Sequence, residues 1–167
     1  MTRVPTTSVE TTVNSKIETT IRRIVRVNRA RKPQKAIVAT GCSQYCWAYN
    51  GDAKLTNSKV INAMSRGEGE EVEVIFFNLG CYVNDLNLAE AYQLRGFKPA
   101  DPYSLMAVNE MEPDFVKTIP NTTHWKDSNG KYCYIAFRLY MGDRVVNAQY
   151  SDNGGFRHFW WFAGLRR

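Results

Sequence analysis

The chain has 167 residues, 44% of them apolar and 23% charged, a balance that suits one folded domain and excludes wholesale disorder. No run approaches the roughly 18 apolar residues of a membrane span, and Met1 to Lys16 lacks the apolar centre of a secretory signal, so the expected address is cytoplasmic with no membrane partner. The net charge of +6 is largely local: Arg22, Arg23, Arg26, Arg29, Arg31, Lys32 and Lys35 follow one another with no acid among them.

In chain order, Met1 to Thr12 has no usable hydrophobic period and reads as an extended arm. From Val13 to Asn28 the spacing of Ile17, Ile21, Ile24 and Val25 predicts a helix with one apolar stripe and its arginines on the other face, ended at Lys32-Pro33. Ala36 to Ala39 reads as a short strand before a turn at Thr40-Gly41. Thr56 or Asn57 is placed to cap a short helix over Ser58 to Met64.

Arg66 to Glu71 is a polar loop punctuated by glycine, and Val72 to Leu79 (VEVIFFNL) is the clearest buried strand. Asn84 or Asp85 caps a helix through Leu86, Leu88, Ala89, Tyr92 and Leu94 that stops at Gly96. Lys98 to Pro102 reads as a stiff connector. A further helix over Tyr103 to Asn109 starts from Asp101 or Ser104 and breaks at Glu112-Pro113.

After Pro120 the pattern turns to strands: Thr122 to Lys126, Lys131 to Tyr140, Arg144 to Tyr150 and Phe156 to Leu165. They are separated by turns at Asp127 to Gly130, Met141 to Asp143 and Asp152 to Gly155, the first containing the Asn-Gly hairpin signal. The expected fold is therefore α+β, with helical N-terminal and middle segments packed on a C-terminal antiparallel meander of about four strands. An N-terminal arm and basic helix (1–35) would precede a single domain (36–167).

Cys133, His124 and Asp127 have the residue types of a thiol nucleophile, base and orienting acid, but Cys133 lies mid-strand between two tyrosines, the setting of a buried structural thiol. The C-x3-C spacing of Cys42 and Cys46, followed by Cys81 and Cys133 far apart, is not a zinc pattern, so neither metal nor cofactor is expected. Arg66-Gly67-Glu68-Gly69 precedes a strand and carries acids, unlike a phosphate-cradling loop.

Two binding surfaces remain. Tyr150, Ser151, Asp152, Asn153, Phe156, Arg157, His158 and Phe159 combine aromatic contact area with adaptable hydrogen bonding, which is the chemistry of recognition of a protein or other macromolecule rather than catalysis. The alternative partner is nucleic acid, with the seven basic residues between Arg22 and Lys35 neutralising phosphates without reading bases. Trp160, Trp161 and Phe162 alternate across a strand and read as mostly core.

The runs Pro99 to Leu105, Ala107 to Glu110, His124 to Asp127, Cys133-Tyr134 and Trp160 to Gly164, with Arg66 to Val74 upstream, resemble a family of uncharacterised bacterial and phage-associated proteins over about two thirds of the chain. That layout, a constant Trp-Trp-Phe ending after a varying stretch, is similar to the target proteins of diversity-generating retroelements. The resemblance implies a C-terminal segment rewritten at template adenines and displayed on a C-type-lectin-like fold. Adenine-directed change of Asn codons excludes Lys, Glu, Gln, Met and Trp, and Tyr150 to Phe159 contains none of them, whereas Gln149 does not comply and bounds the segment.

Overall fold

A computed structural model describes residues 18–44, 56–151 and 154–167. The arm expected over 1–12, together with Ile17, Cys46, Asp152 and Asn153, lies outside the described residues. The fold is mixed α+β with one large sheet. Its strands are β1 (Thr20–Arg26), β2 (Ser43–Gln44), β3 (Glu71–Asn78), β5 (Phe97–Pro99), β6 (Asn121–Lys126), β7 (Tyr132–Tyr140), β8 (Asp143–Tyr150) and β10 (Trp161–Arg166). A separate short ladder joins β4 (Val83–Asn84) to β9 (Gly155–Phe156). The helices are α1 (Pro33–Ala39), α2 (Ser58–Asn62), α3 (Asp85–Leu94), α4 (Pro102–Met111) and α5 (Phe115–Thr118).

The strand order is β1-β3-β10-β6-β7-β8-β2, with β5 also on β10. Pairing is antiparallel except β10 with β6 and β2 with β8. The period-2 alternation of side chains lets central strands feed two cores at once. Val74 and Phe76 of β3, Ala163 of β10 and Ile135 and Phe137 of β7 join α1, α2, α4 and α5 on one face. Ile75, Phe77, Phe162 and Ala136 join α3, Phe156 and Trp160 on the other.

Local signals place three helix starts. The side chains of Asn57, Asn84 and Asp101 accept the backbone N–H of Lys59, Asn87 and Ser104, opening α2, α3 and α4.

Three expectations are corrected. The helix expected over Val13 to Asn28 is, in its described part, strand β1 (Thr20–Arg26), with Arg29, Arg31 and Lys32 in the connection that follows and Lys35 in α1: Ile21, Arg23 and Val25 alternate with Arg22, Ile24 and Arg26, and seven antiparallel positions pair the strand with β3, so tertiary pairing overrides a pattern that fitted both periods. Ala36 to Ala39 is helical because Pro33 opens α1 in its first turn, where a missing N–H costs nothing, instead of ending a preceding helix. The last strand does not continue the meander. β10 crosses back to lie between β3 and β6, where Phe162 and Ala163 are buried on opposite faces.

Candidate functional site: the rim before the last strand

The chain leaves β8 at Tyr150, turns so that Gly154 N–H donates to Ser151 O at 2.8 Å, and pairs Gly155-Phe156 with Val83-Asn84 before reaching β10. The β9 pairing is held tightly. A Cβ at Gly155 would lie 2.4 Å from Tyr82 Oη and 2.5 Å from Val83 O, so the close approach of β9 to β4 requires glycine there.

A buried polar cluster ties the rim to the scaffold. His124 Nδ1 lies 2.7 Å from Asp85 Oδ1, and Ser151 Oγ donates to Asp85 Oδ2. His124 is 1% exposed and stacks on Tyr132 at 4.9 Å and on Tyr92 at 5.7 Å between centroids. One carboxylate thus joins the start of α3, strand β6 and the end of β8. Burial, with Asp85 nearby, raises the Tyr132 phenol above its ordinary range.

Two clefts meet at Ser151 and Gly154. The first, about 650 Å³, is lined by Asn84, Asp85, Leu86, Lys131 and Tyr132 among others. The second, about 440 Å³, has Tyr134, Ala136, Arg138 and Tyr150 on the sheet side and Phe156, Arg157, Phe159 and Trp160 on the loop side. Burial lowers the Arg138 guanidinium below the usual arginine range; Tyr140 opposes that shift and Arg157 adds to it. Cations lie over three rings of this region: Lys126 over Tyr132 at 5.0 Å, Lys131 over Tyr150 at 4.2 Å and Arg138 over Tyr140 at 5.5 Å.

The expected recognition residues divide. Arg157 and His158 are exposed, and Tyr150, Ser151 and Phe159 are half-buried at the cleft mouths. Phe156 is 4% exposed and packs edge-on against Tyr134 and Phe162, so it belongs to the core as much as to the rim. Sequence reasoning missed Asp85, Lys131, Tyr132 and Arg138, and missed the exposed Tyr82 and Leu86 beside the rim. The helix-cap signal at Asn84-Asp85 marked the neighbourhood without revealing what Asp85 holds.

The basic segment is partly consumed by internal pairing. Arg23 donates to Glu112 at 2.6 and 3.3 Å, and Arg31 to Glu110 at 2.7 Å. Arg29 donates to Asp101 at 2.9 Å and to the carbonyls of Gly69 and Glu68 at 2.7 Å. Arg22, Arg26, Lys32 and Lys35 are exposed.

Cys133 is fully buried, and burial pushes its thiol up to about 11. It faces the core shared with Ile135, whereas His124 sits across from Tyr134 on the opposite face of the sheet and is bonded to Asp85. Asp127 accepts the N–H groups of Asn129 and Lys131 within its turn. Among the described residues, no three His, Cys, Asp or Glu side chains gather as a metal site, and no helix is long and apolar enough to cross a membrane.

The chain matches no family model, no curated protein and no solved structure.

Proposed function

We propose that the chain is a non-enzymatic, cytoplasmic binding protein of the retroelement-target kind. It presents Tyr150, Ser151, Asp152, Asn153, Arg157, His158 and Phe159 to a macromolecular partner from a constant scaffold, and Phe156 anchors the segment from beneath. The C-type-lectin-like form of the α+β fold is part of the same proposal. The observation that carries the reading is the meeting of two clefts at Ser151 and Gly154, with aromatic and cationic side chains at their mouths and buried aromatics below. Exposed and half-buried rim positions carry little packing energy and accept varied side chains, while buried rings do not.

The test is the set of sibling genes and their neighbourhood. Differences concentrated at Tyr150, Asp152, Asn153 and Arg157 to Phe159, with Ser151, whose hydroxyl is held by Asp85, and Phe156, Trp160, Phe162 and Gly164 constant and a reverse transcriptase nearby, support the reading. Siblings that vary evenly along the chain contradict it.

The alternative, a phage or mobile-element accessory protein that binds nucleic acid through the basic segment, rests on the exposure of Arg22, Arg26, Lys32 and Lys35. Replacing these four by Ser should weaken binding and flatten its salt dependence, and an intact protein that binds neither DNA nor RNA at low salt removes this alternative.

A further inference from the structure

We infer that the outer edge of β1 and the groove between it and α4 form a second docking site, which takes up an extended acidic peptide as an added antiparallel strand. β1 closes the end of the large sheet remote from β8, so this site is separate from the rim and does not rest on it.

The main chain supplies the first argument. Val27 N–H donates to Glu70 O at 2.8 Å, and the register continues through Val25 with Val72, Arg23 with Val74 and Ile21 with Phe76. Peptide groups alternate along a strand, so these residues turn their N–H and C=O groups towards β3, while Arg22, Ile24 and Arg26 turn theirs outward. Arg22 O accepts from its neighbour Arg23 Nη1 at 2.9 Å. Among the described residues, nothing pairs with the other outward groups of Arg22, Ile24 and Arg26, and such a row is the template that strand addition uses.

The side chains supply the second. α4 runs beside β1: Tyr103 Oη donates to Arg31 O, Arg31 pairs with Glu110 at 2.7 Å, and Arg23 pairs with Glu112 at 2.6 Å. A groove of about 460 Å³ lies along this seam, with buried Val25 and Ala107 at its walls, Met111 53% exposed, and Ile24 and Arg26 at its border. The arginines on the α4 side are consumed by α4's own glutamates, so that side favours apolar side chains. On the other face of β1, Arg22 and Arg26 are exposed and flank Ile24, which is 61% exposed. Arg22 stands across from Ile75, Arg26 from Glu71, and Ile24 from Glu73, which already pairs with Arg166 at 3.5 Å. An added strand alternates likewise: the residues opposite Arg26, Ile24 and Arg22 are acidic, apolar and acidic, and the two between them are apolar and lie against Ala107 and Met111.

Charge selects this occupant over a second copy of the chain. In the fully overlapping antiparallel register, two copies of β1 would set Arg22 of each opposite Arg26 of the other, and like charges directly opposed are destabilising. Arginines alone would be an ordinary guard of a sheet edge, but a guarded edge has no use for two exposed apolar side chains beside them. Nucleic acid would use the arginines and leave Ile24 and Met111 idle.

The experiment measures the fluorescence anisotropy of a labelled peptide of about nine residues, in which two glutamates bracket three valines, titrated with the full chain. Methylating the amide nitrogen of the central valine, which would face Ile24, should weaken binding about tenfold or more, whereas methylating that of the preceding valine, which faces away, should have little effect. A peptide with lysines in place of the glutamates should bind about tenfold more weakly, and R22E/R26E should reverse that preference, which also shows that the variant is folded. Met111→Asp should weaken the glutamate peptide and leave the melting temperature unchanged, because the position is exposed.

No binding tighter than about 1 mM, equal effects of the two methylations, or an R22E/R26E protein with the parent's preference overturns the inference. A dimer that Met111→Asp dissociates, with no peptide bound, gives the edge to a second copy instead. Oligothymidylate binding that R22E/R26E abolishes, again with no peptide bound, gives the arginines to nucleic acid. Either result overturns the peptide site.

Discussion

Asp85→Ala is the substitution that most sharply separates a cluster that ties the rim to the scaffold from an incidental contact. The carboxylate accepts from His124 on β6 and from Ser151 at the end of β8, and its residue is 7% exposed. Each hydrogen bond to a charged acceptor contributes about 1.5–3 kcal/mol, and removing one partner of a buried pair costs about 3–5 kcal/mol, so the expected loss is about 3–5 kcal/mol. For a chain of this length each kcal/mol corresponds to roughly 2–4 °C, which puts the fall in melting temperature at about 6–20 °C. Urea unfolding followed by circular dichroism gives the free energy, and a thermal melt gives the temperature. Ser151→Ala, which breaks only one of the two bonds, should lose about half as much. An Asp85→Ala protein within about 1 kcal/mol of the parent would refute the idea that this carboxylate holds the rim in place.

Phe156→Ala should cost about 3–5 kcal/mol in urea unfolding, as for a buried aromatic, while Arg157→Ala at the next position leaves the transition midpoint unchanged. Gly67→Ala should destabilise measurably in a thermal melt: φ is +66° and the new Cβ would lie 2.3 Å from the Asp101 carboxylate that holds Arg29. Of Cys42, Cys81 and Cys133, only exposed Cys81 should react with a thiol reagent at pH 8 in the native protein, and the two buried thiols should appear on unfolding. Because the Cys133 thiol moves from an ordinary 9.0 to about 11, the native state holds its proton more tightly; the resulting stability is complete below pH 9 and is lost as pH rises towards 11, which alkaline urea titrations of Cys133→Ala against the parent will read.

Features written in neighbouring residues were legible from sequence. Asn57, Asn84 and Asp101 cap their helices because a cap needs only its own next two or three residues, and the β6–β7 turn follows from Asp127 to Gly130 for the same reason. What sequence hid depends on distant partners. Ile21, Ile24 and Val25 satisfy a helical stripe, and only the presence of β3 turns that segment into a strand. Pro33 is compatible with ending one helix or opening another, and the chain on either side does not decide between them. The position of β10 between β3 and β6 likewise follows from burial on two faces, which alternation alone leaves open.

The candidate site was legible to the same extent. Its exposed residues are contiguous and polar-aromatic, so Tyr150, Arg157, His158 and Phe159 stand out. The groups that support them do not: Asp85 lies 39 residues from His124 and 66 from Ser151. In sequence Phe156 reads as part of the rim because its type suits either role, and only its packing against Tyr134 and Phe162 separates them.

The central claim, that a variable-tolerant recognition rim sits on a scaffold that does not need it for folding, is tested most directly by displaying two libraries and scoring folding by protease resistance. One is randomised at Tyr150, Arg157, His158 and Phe159, the other at Phe156, Trp160, Phe162 and Ala163. The account predicts that most members of the first library remain folded and that nearly all members of the second are degraded. Equal loss of folded members from both libraries would contradict it.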